Sequence, residues 1–539
     1  MKKNSKFHFV SFFMVIGWLM GLLSGSLFFW SELCIYMEFE LFNINSVLFN
    51  FVMYFDWISL IFMSVVLIIS SLILIYSKVY MGKECHRFLW LTFLFIVFML
   101  IMILSPSIVG VVLGWDGLGL ISFCLVIYYQ SMNSYNSGFI TAASNRVGDT
   151  LIILSIVWTS STGMFTFWES CEGVFFFMLA CFTKSAQFPF SAWLPAAMAA
   201  PTPISSLVHS STLVTAGIYM MIRFYNCILN SNLVQILLLA SLLTIMVAGL
   251  SALQEFDMKR LVAFSTLGQL GFMSMILSLG HPNIAFFHLL IHALFKALLF
   301  MCTGFIIHSS GGLQDLRKMG NLLVSPLASV SLNISVFSLM GMPFSSGFYS
   351  KDSLLEVVLC SYGGIGLGVF MVFMALITVS YSVRVSYYFS SLLGWMMWVG
   401  GSKNMSLSIG TLTLINLVCG SALNWLISEL NLICLDYSKY APLLGIMLGI
   451  SWHGKVSLSL KKKWAYSSLL YVGSLTSEVS ILIKGLFFWM KLLDQGWAEG
   501  ALLFNKNLTM KISNMVKSSS EGSFTIFSSG VTLISILLV

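Results

Sequence analysis

The chain has 539 residues, of which 58% are hydrophobic and 9% are charged, and its formal net charge is +7. Its mean hydropathy of +0.94 excludes a water-soluble globule of this length. The basic residues flank apolar runs, most densely from Lys455 onward, so we interpret them as membrane-interface anchors and expect no nucleic-acid partner.

Apolar runs of the roughly 17 to 25 residues that cross a bilayer as a helix recur along the whole chain. The first run, residues 9–30, is too long for the apolar core of a secretory signal, so we expect a retained span. The runs lack the strict alternation of membrane β-strands, which excludes a barrel. We therefore predict an all-α polytopic membrane protein with about fifteen transmembrane helices.

Two early spans carry charged side chains. Residues 107–129 contain Asp116 among glycines, and residues 140–158 contain Arg146 and Asp149. A charge in mid-membrane costs about 2.5 to 3.5 kcal/mol on insertion scales, so such side chains should face the bundle interior and find partners. We expect these three residues to line a polar path.

The next apolar segment contains Lys184 and is then interrupted by prolines at positions 189, 195, 201 and 203. Proline removes a backbone donor and clashes with the preceding turn, so this pattern predicts a broken helix whose freed carbonyls line an ion path. Lys184 is expected at the break. A further span follows Pro203 and carries His209 among serine and threonine residues, side chains that are suited to a proton wire.

Three ionisable residues, His288, His292 and Lys296, occur four residues apart in an otherwise apolar run. This spacing places them along one helix face with a drift of about 40° per step. Histidine has an ordinary pKa near 6.5 and exchanges protons readily, which favours a relay. Two alternatives are inert groups held by hydrogen bonds and a zinc site, although no third imidazole or thiolate stands at helical ligand spacing.

A second interruption by glycine and proline precedes Lys351 and Asp352. Lys184 and Lys351 both lie beside proline-containing breaks, as expected if two related halves each contain one discontinuous helix. Near the C-terminus, an apolar stripe from residue 475 to 515 recurs about every 3.6 residues. A straight helix of this length is about 60 Å long, twice the hydrocarbon thickness. We therefore predict a long lateral amphipathic helix on the bundle surface, followed by a last span at residues 524–539.

Five stretches around these residues resemble the chain 5 family of mitochondrial NADH:ubiquinone oxidoreductase, complex I. They are "LGWDGLGLISFCLVIYY", "SNRVGDT", "KSAQFPFSAWLPAAMAAPTPISSLVHSSTLVTAGIY", "HALFKALLFMCTGFIIHS" and "GMPFSSGFYSKD". The resemblance implies two inverted antiporter-like repeats of five helices, each with a broken helix, and a proton path along a central polar axis. A lateral helix is a further feature of this family.

The resemblance also implies roles for individual residues. The proton-transfer residues that it implies are Asp116, Lys184, His209, His288, His292, Lys296, Lys351 and Asp352, with Arg146 and Asp149 in supporting positions. Asp116 would be the acidic partner of Lys184, the pumping lysine, and the histidines would form the connecting axis. Lys351 would serve the second half, with Asp352 at the outer exit. The family commonly has glutamate at the position of Asp116, so the carboxylate here is one methylene shorter.

The implied function is that of a proton-translocating membrane-arm subunit that couples quinone reduction in partner subunits to proton pumping across the inner mitochondrial membrane. The expected partners are other membrane-arm and accessory subunits of complex I and membrane lipids. The chain has no dinucleotide fingerprint, and its ten cysteines include no CxxC pair. We therefore expect no cofactor and no metal in this chain, and NADH, FMN, iron–sulfur clusters and ubiquinone in partner subunits.

Two other functions fit the same residues. One is a subunit of a monovalent cation/proton antiporter, and the other is a structural scaffold in which the buried charges only fix the packing. We divide the chain into N-terminal transmembrane helices at 1–104, an antiporter-like core at 105–430 and a C-terminal region at 431–539.

Overall fold

The computed structural model describes residues 5–44, 47–82, 85–160, 173–230, 233–320, 325–360, 364–390 and 402–427, with a few isolated positions beyond 446. The elements below belong to one compact unit, Met1–Val472. The predicted lateral helix at 475–515 lies almost entirely outside the described residues, and the last span at 524–539 lies wholly outside them.

The described elements are two strands and seventeen α-helices. The strands β1 (Ile35–Ile44) and β2 (Val47–Phe55) form an antiparallel hairpin. The helices are α1 (Ser5–Ser31), α2 (Trp57–Tyr80), α3 (Cys85–Leu104), α4 (Ile108–Val126), α5 (Met132–Ser160), α6 (Val174–Lys184), α7 (Trp193–Ala196), α8 (Thr202–Leu207), α9 (Leu213–Arg223), α10 (Tyr225–Asn230), α11 (Val234–Ala252), α12 (Met258–Ser278), α13 (Pro282–Ser309), α14 (Pro326–Met340), α15 (Ser346–Cys360), α16 (Gly364–Ser390) and α17 (Lys403–Ile427).

Ten helices among the described residues are long and apolar enough to cross a membrane: α1 to α5, α11 to α13, α16 and α17. The prediction of an all-α polytopic membrane protein is therefore confirmed, and Asp116 lies on the fourth helix. The hairpin is a local exception. Its second strand, β2, ends at Phe55, and the second long helix begins directly after it at Trp57.

The start of α2 is fixed by Asp56. The Asp56 carboxylate accepts the backbone N–H of Ser59 at 2.9 Å, and the Ser59 hydroxyl accepts the backbone N–H of Asp56 at 3.0 Å. This reciprocal cap satisfies two donors that a helix start leaves free. The same carboxylate forms an ion pair with Arg223, the last residue of α9. The pair joins the start of one span to the end of another.

Both predicted breaks are present. After Lys184 the chain leaves α6 and passes through short turns and α7, and it starts α8 with Pro203 in the first turn. The second break separates α14 from α15, and Gly341 ends α14 in the left-handed conformation, with φ of 81°. Proline is tolerated in the first turn of a helix because the missing N–H has no helical partner there, which explains why the breaks fall where they do.

The broken helix is the fourth of five crossings in each repeat. The first repeat contains α3, α4, α5, α6 with α7, and α8 with α9. The second contains α11, α12, α13, α14 with α15, and α16. Because five is an odd number of crossings, the second repeat starts on the opposite side of the membrane from the first, so the repeats are inverted. The helix α13 is buried from Ile284 to Ile307, and it packs against α8, α9, α12, α14 and α15 and so contacts both repeats.

Candidate proton path

Lys184 ends α6 at the first break and is buried, with 1% of its surface exposed. Its Nζ donates to the carbonyl oxygen of Trp115 at 3.3 Å and lies 5.1 Å from the centroid of the Trp115 ring. Beyond the break, Trp193 donates its Nε1–H to the carbonyl oxygen of Thr183 at 2.9 Å. The break is thus tied back onto α6, and the lysine points at α4, the helix that carries Asp116.

Two carboxylates accompany this lysine. Asp149 is buried, and its Oδ2 accepts a hydrogen bond from Arg146 Nη1 at 3.1 Å. Lys184 interacts electrostatically with Asp149 and, to a lesser degree, with Asp116. Among the ion pairs of the described residues, none joins either carboxylate directly to Lys184. Asp149, which was expected only in support, is therefore, beside Asp116, a second carboxylate that interacts electrostatically with the lysine.

Glycine brings α5 and α6 together at this point. A Cβ atom on Gly148 would lie 2.2 Å from Thr183 Oγ1, so only glycine permits the contact. Asp149 directly follows Gly148, and Lys184 directly follows Thr183. Gly217 plays the same part on α9, where a Cβ atom would lie 2.5 Å from the carbonyl oxygen of Cys181. The electrostatic contact between carboxylate and lysine therefore depends on the backbone packing of three helices.

His209 lies in a π-helical turn, Val208–Thr212, between α8 and α9. Turns of this kind occur frequently at functional sites. The imidazole is buried 6.1 Å from the ring of Trp193, measured between centroids, and neither of its nitrogens has a hydrogen-bond partner in the described part of the chain. Leaving such a nitrogen unsatisfied costs about 1 to 3 kcal/mol, and bound water ordinarily satisfies it. The imidazole is therefore placed to exchange protons with water.

A second buried lysine near the first break was missed by the sequence analysis. Lys259 is the second residue of α12, and its Nζ donates to the carbonyl oxygen of Ala200 at 3.0 Å. A lysine at the start of a span is ordinarily an interface anchor, so its position in the sequence gave no sign of burial. The contact joins α12, in the second repeat, to Ala200, which lies in the first break between α7 and α8.

The histidines of α13 differ in their contacts. His288 is bonded on both sides, with Nδ1 2.9 Å from Ser350 Oγ and Nε2 3.0 Å from Gln269 Oε1. His292 lies one turn further along, with its ring centroid 6.4 Å from that of His288, and no residue that the structure describes hydrogen-bonds to either of its nitrogens. A hydroxyl both donates and accepts, so His288 can exchange tautomers without losing its hydroxyl contact. Ser350 and Gln269 were not predicted, although Ser350 directly precedes the predicted Lys351.

The two lysines of the second half are buried and bind hydroxyls. Lys296 Nζ donates to Ser265 Oγ at 2.6 Å, and Lys351 Nζ donates to Thr378 Oγ1 at 2.8 Å and to the carbonyl oxygen of Met340 at 3.1 Å. Met340 is the last residue of α14, and the partial negative charge of a helix C-terminus favours an ammonium group. Lys351 lies in α15, after its break, whereas Lys184 lies before its break.

The expected site residues thus form two groups joined by α13. The first group surrounds Lys184, and the second extends from His288 to Lys351, which is followed by the half-buried Asp352. In the described part of the chain, no three His, Cys, Asp or Glu side chains cluster as metal ligands. The groups on this path are proton carriers, namely carboxylates, imidazoles, amines and hydroxyls.

Comparisons with known proteins identify relatives of this chain. A family described as NADH:quinone oxidoreductase/Mrp antiporter matches residues 105–378, and the N-terminus of complex I chain 5 matches residues 41–89. The NADH-ubiquinone oxidoreductase chain 5 of Aedes aegypti is 45% identical over 502 residues, covering 87% of this chain and 86% of that protein. The same chain of Locusta migratoria is 43% identical, covering 85% of this chain and 86% of that protein.

Two solved structures share the fold. The Mrp complex from Dietzia sp. DQ12-45-1b contains a chain with a TM-score of 0.66 and 23% identity; the match covers 97% of this chain and 60% of that one. The membrane-bound sulfane sulfur reductase, an archaeal respiratory complex, contains one with a TM-score of 0.68 and 19% identity, covering 83% and 93%. The identities and coverage of the relatives, taken with the match over residues 105–378, show that the chain belongs to the NADH-ubiquinone oxidoreductase chain 5 family.

Proposed function

We propose that this chain translocates protons as a membrane-arm subunit of respiratory NADH:ubiquinone oxidoreductase in the inner mitochondrial membrane. Its family and its membrane-spanning architecture support this function. Electron transfer from NADH to ubiquinone would take place in partner subunits. This chain would use the energy passed on by those partners, since moving one proton against the membrane potential requires about 2.3 kcal/mol per 100 mV.

The observation that carries the proposal is the placement of ionisable side chains in the fully buried interior. Lys184, His209, His288, His292 and Lys296 each have 1% or less of their surface exposed. Buried charges in a membrane protein are expensive and ordinarily mark proton or ion routes. A scaffold would gain more stability from apolar side chains in the same positions.

In this mechanism Lys184 and the two carboxylates form the switch of the first half. A proton on the lysine is stabilised by Asp149 and Asp116, and a shift of either carboxylate away from the ammonium favours its release. The released proton passes to the imidazoles of α13, which bind and release protons on either nitrogen. Lys296 and Lys351 receive it in the second half, where Ser265 and Thr378 hold the two ammonium groups.

The monovalent cation/proton antiporter is the second candidate, but it is disfavoured because the relatives that cover most of this chain are complex I subunits. The likeness to the Mrp complex is a likeness of fold at 23% identity. Purification of the native complex tests the choice. NADH:ubiquinone reductase activity that co-purifies with this chain supports the respiratory function, and its absence from the purified assembly contradicts it.

Lys184→Met tests the residue at the centre of the proposal. The substitution keeps the length of the side chain and removes the proton-binding nitrogen. Proton transfer through this subunit should stop while the complex still assembles, so fewer protons should move per NADH oxidised. Phe175→Leu, at an exposed position on the same helix, is the matched control and should leave the ratio unchanged. Undiminished pumping by assembled Lys184→Met complexes would contradict the proposed role.

A further inference from the structure

A column of three aromatic rings leads from one end of the bundle into its interior. His308 is exposed in the last turn of α13 and packs on Tyr80, the last residue of α2, with ring centroids 5.6 Å apart. Tyr80 stacks on Tyr76 at 5.9 Å with an interplanar angle of 21°. Tyr80 is half-buried and Tyr76 is fully buried. The column therefore joins a titratable group in contact with water to a hydroxyl in the protein interior.

The two tyrosine hydroxyls meet at Thr202. Both Tyr76 and Tyr80 interact with its side chain, and Thr202 is completely buried. Among the described residues, the hydroxyl of Tyr76 and Oγ1 of Thr202 nevertheless lack a hydrogen-bond partner at ordinary distance and angle. Two neighbouring buried hydroxyls that remain unsatisfied by protein are the kind of group that a bound water bridges. The inner end of the column is therefore a polar site with unused donors and acceptors.

Gly304 makes room for this site on α13. A Cβ atom on Gly304 would lie 2.6 Å from Thr202 Oγ1 and 2.6 Å from the hydroxyl of Tyr76. Both oxygens thus lie directly against the helix backbone, in a slot that any side chain would fill. Gly304 is one turn before His308 on the same helix. The exposed histidine and the buried slot therefore belong to one continuous feature.

The distribution of basic residues gives the orientation of this end of the bundle. The end of the bundle that carries His308 also contains the end of α2, the start of α3 and the start of α12. Met258, the first residue of α12, donates its backbone N–H to the carbonyl oxygen of Gln314, which follows α13, at 3.1 Å. The lysines and arginines here include Lys78, Arg87, Lys259, Arg260, Arg317, Lys318 and Arg384, of which Arg260 and Arg317 are paired with Asp257 and Asp315. The described residues of the opposite end include Glu32, Glu38 and Glu40, and the Arg223 there is paired with Asp56.

An excess of lysine and arginine marks the cytoplasmic side of bacterial membrane proteins, which corresponds to the matrix side of the inner mitochondrial membrane. The His308 end therefore faces the matrix, the compartment from which the proposed function takes protons.

The column leads to the break of the first repeat. Thr202 is the first residue of α8, which runs into the π-helical turn of His209. The Ser205 hydroxyl donates to the carbonyl oxygen of Thr202 at 2.8 Å, and Ser205 and Ser206 are both fully buried. In the chain, Ser205 and Ser206 therefore stand between the slot beside Gly304 and His209, and each of their hydroxyls donates to a backbone carbonyl oxygen. Neither nitrogen of His209 has a hydrogen-bond partner among the described residues.

We propose that His308, Tyr80, Thr202 and Tyr76 form a proton-uptake port at the matrix end, which supplies the first half through His209; this rests on the proposed function. The imidazole of His308 takes a proton from bulk water and passes it to the adjacent hydroxyls. Each hydroxyl accepts one proton and releases its own, so it is unchanged after each transfer. The port changes no oxidation state and needs no cofactor.

The test compares variants of the assembled complex in vesicles, with proton uptake and NADH oxidation recorded together. The double variant Tyr76→Phe/Tyr80→Phe keeps the stacked rings and removes both hydroxyls. We expect proton transfer through this subunit to slow at least about a hundredfold, the lower end of what positioned proton donors contribute. Protons per NADH should then fall to the level of Lys184→Met. Tyr135→Phe, at an exposed tyrosine outside the column, should have no effect.

Two further variants show whether a loss of pumping comes from the proposed port or from a general defect in folding. Gly304→Ala should block the slot, and His308→Phe should keep the stacking at the surface while it removes the titratable nitrogens. If Lys184→Met lowers the ratio but the tyrosine pair and His308→Phe do not, the port is wrong and the proposed function stands. If Lys184→Met also leaves the ratio unchanged, the proposed function itself is wrong. Equal losses for Lys184→Met, the tyrosine pair and His308→Phe support the port.

Discussion

Substitution of Gly148 tests whether helix packing controls the lysine switch. A Cβ atom at this position would lie 2.2 Å from Thr183 Oγ1, whereas ordinary contacts begin at 3.4 Å. The shortfall is about 1.2 Å, the difference between the two distances, so α5 and α6 must move apart in Gly148→Ala. Overpacking of this kind costs about 1 to 3 kcal/mol, which a large complex tolerates.

Moving α5 away from α6 also moves Asp149 away from Lys184, because these two residues directly follow Gly148 and Thr183 in the chain. A misplacement of about 1 Å can slow a reaction about a hundredfold, so proton transfer through this subunit should become far slower. The assay records protons moved per NADH in vesicles, with assembled complex quantified on a native gel. We expect a reduced ratio at near-normal assembly. Gly268→Ala is the matched control, because a Cβ atom there would make an ordinary contact with Ala248 at 3.7 Å.

A second substitution separates packing from other effects. Thr183→Ala removes the oxygen that the new methyl group meets, and the nearest remaining side-chain atom, the Cβ of residue 183, lies 3.3 Å away. The double variant Gly148→Ala/Thr183→Ala should therefore recover much of the lost pumping. Normal pumping in Gly148→Ala, or a double variant as impaired as the single one, would refute the reasoning.

Three other predictions concern stability, the relay and assembly. Asp56→Asn keeps the helix cap but leaves the largely buried Arg223 without its counter-ion, so the free energy of unfolding, measured by thermal unfolding of the complex, should fall by about 3 kcal/mol. Asp315→Asn, in a more exposed pair, should lower it by at most about 1 kcal/mol. His292→Ala should interrupt pumping in assembled complexes while Leu290→Ala, off the polar stripe, stays mild; equal impairment would favour packing over relay. We expect the predicted lateral helix at 475–515 to hold this chain against neighbouring subunits, so truncation before residue 475 should release it from the complex. A truncated chain that still co-purifies would contradict this role.

Several features of the protein follow from the sequence alone because they depend on local periodicity. The hydropathy of the runs predicted the membrane helices, and the prolines after Lys184 predicted the first break. The spacing of His288, His292 and Lys296 placed them on one helix face, because rise and rotation per residue are fixed in an α-helix. The roles of these residues in proton transfer stay predictions, as do the boundaries of the three regions.

Contacts between helices were decided by the tertiary structure. Asp116 and Asp149 are both carboxylates near mid-span in the sequence, and only the packing of α4, α5 and α6 brings both of them within electrostatic reach of Lys184. Lys259 has the sequence context of a surface anchor, yet the carbonyl left free at Ala200 draws it into the interior. Such contacts depend on where glycines let two backbones approach and on the route of the chain through a break. Residues far apart in sequence meet there, and no local pattern encodes the distance between them.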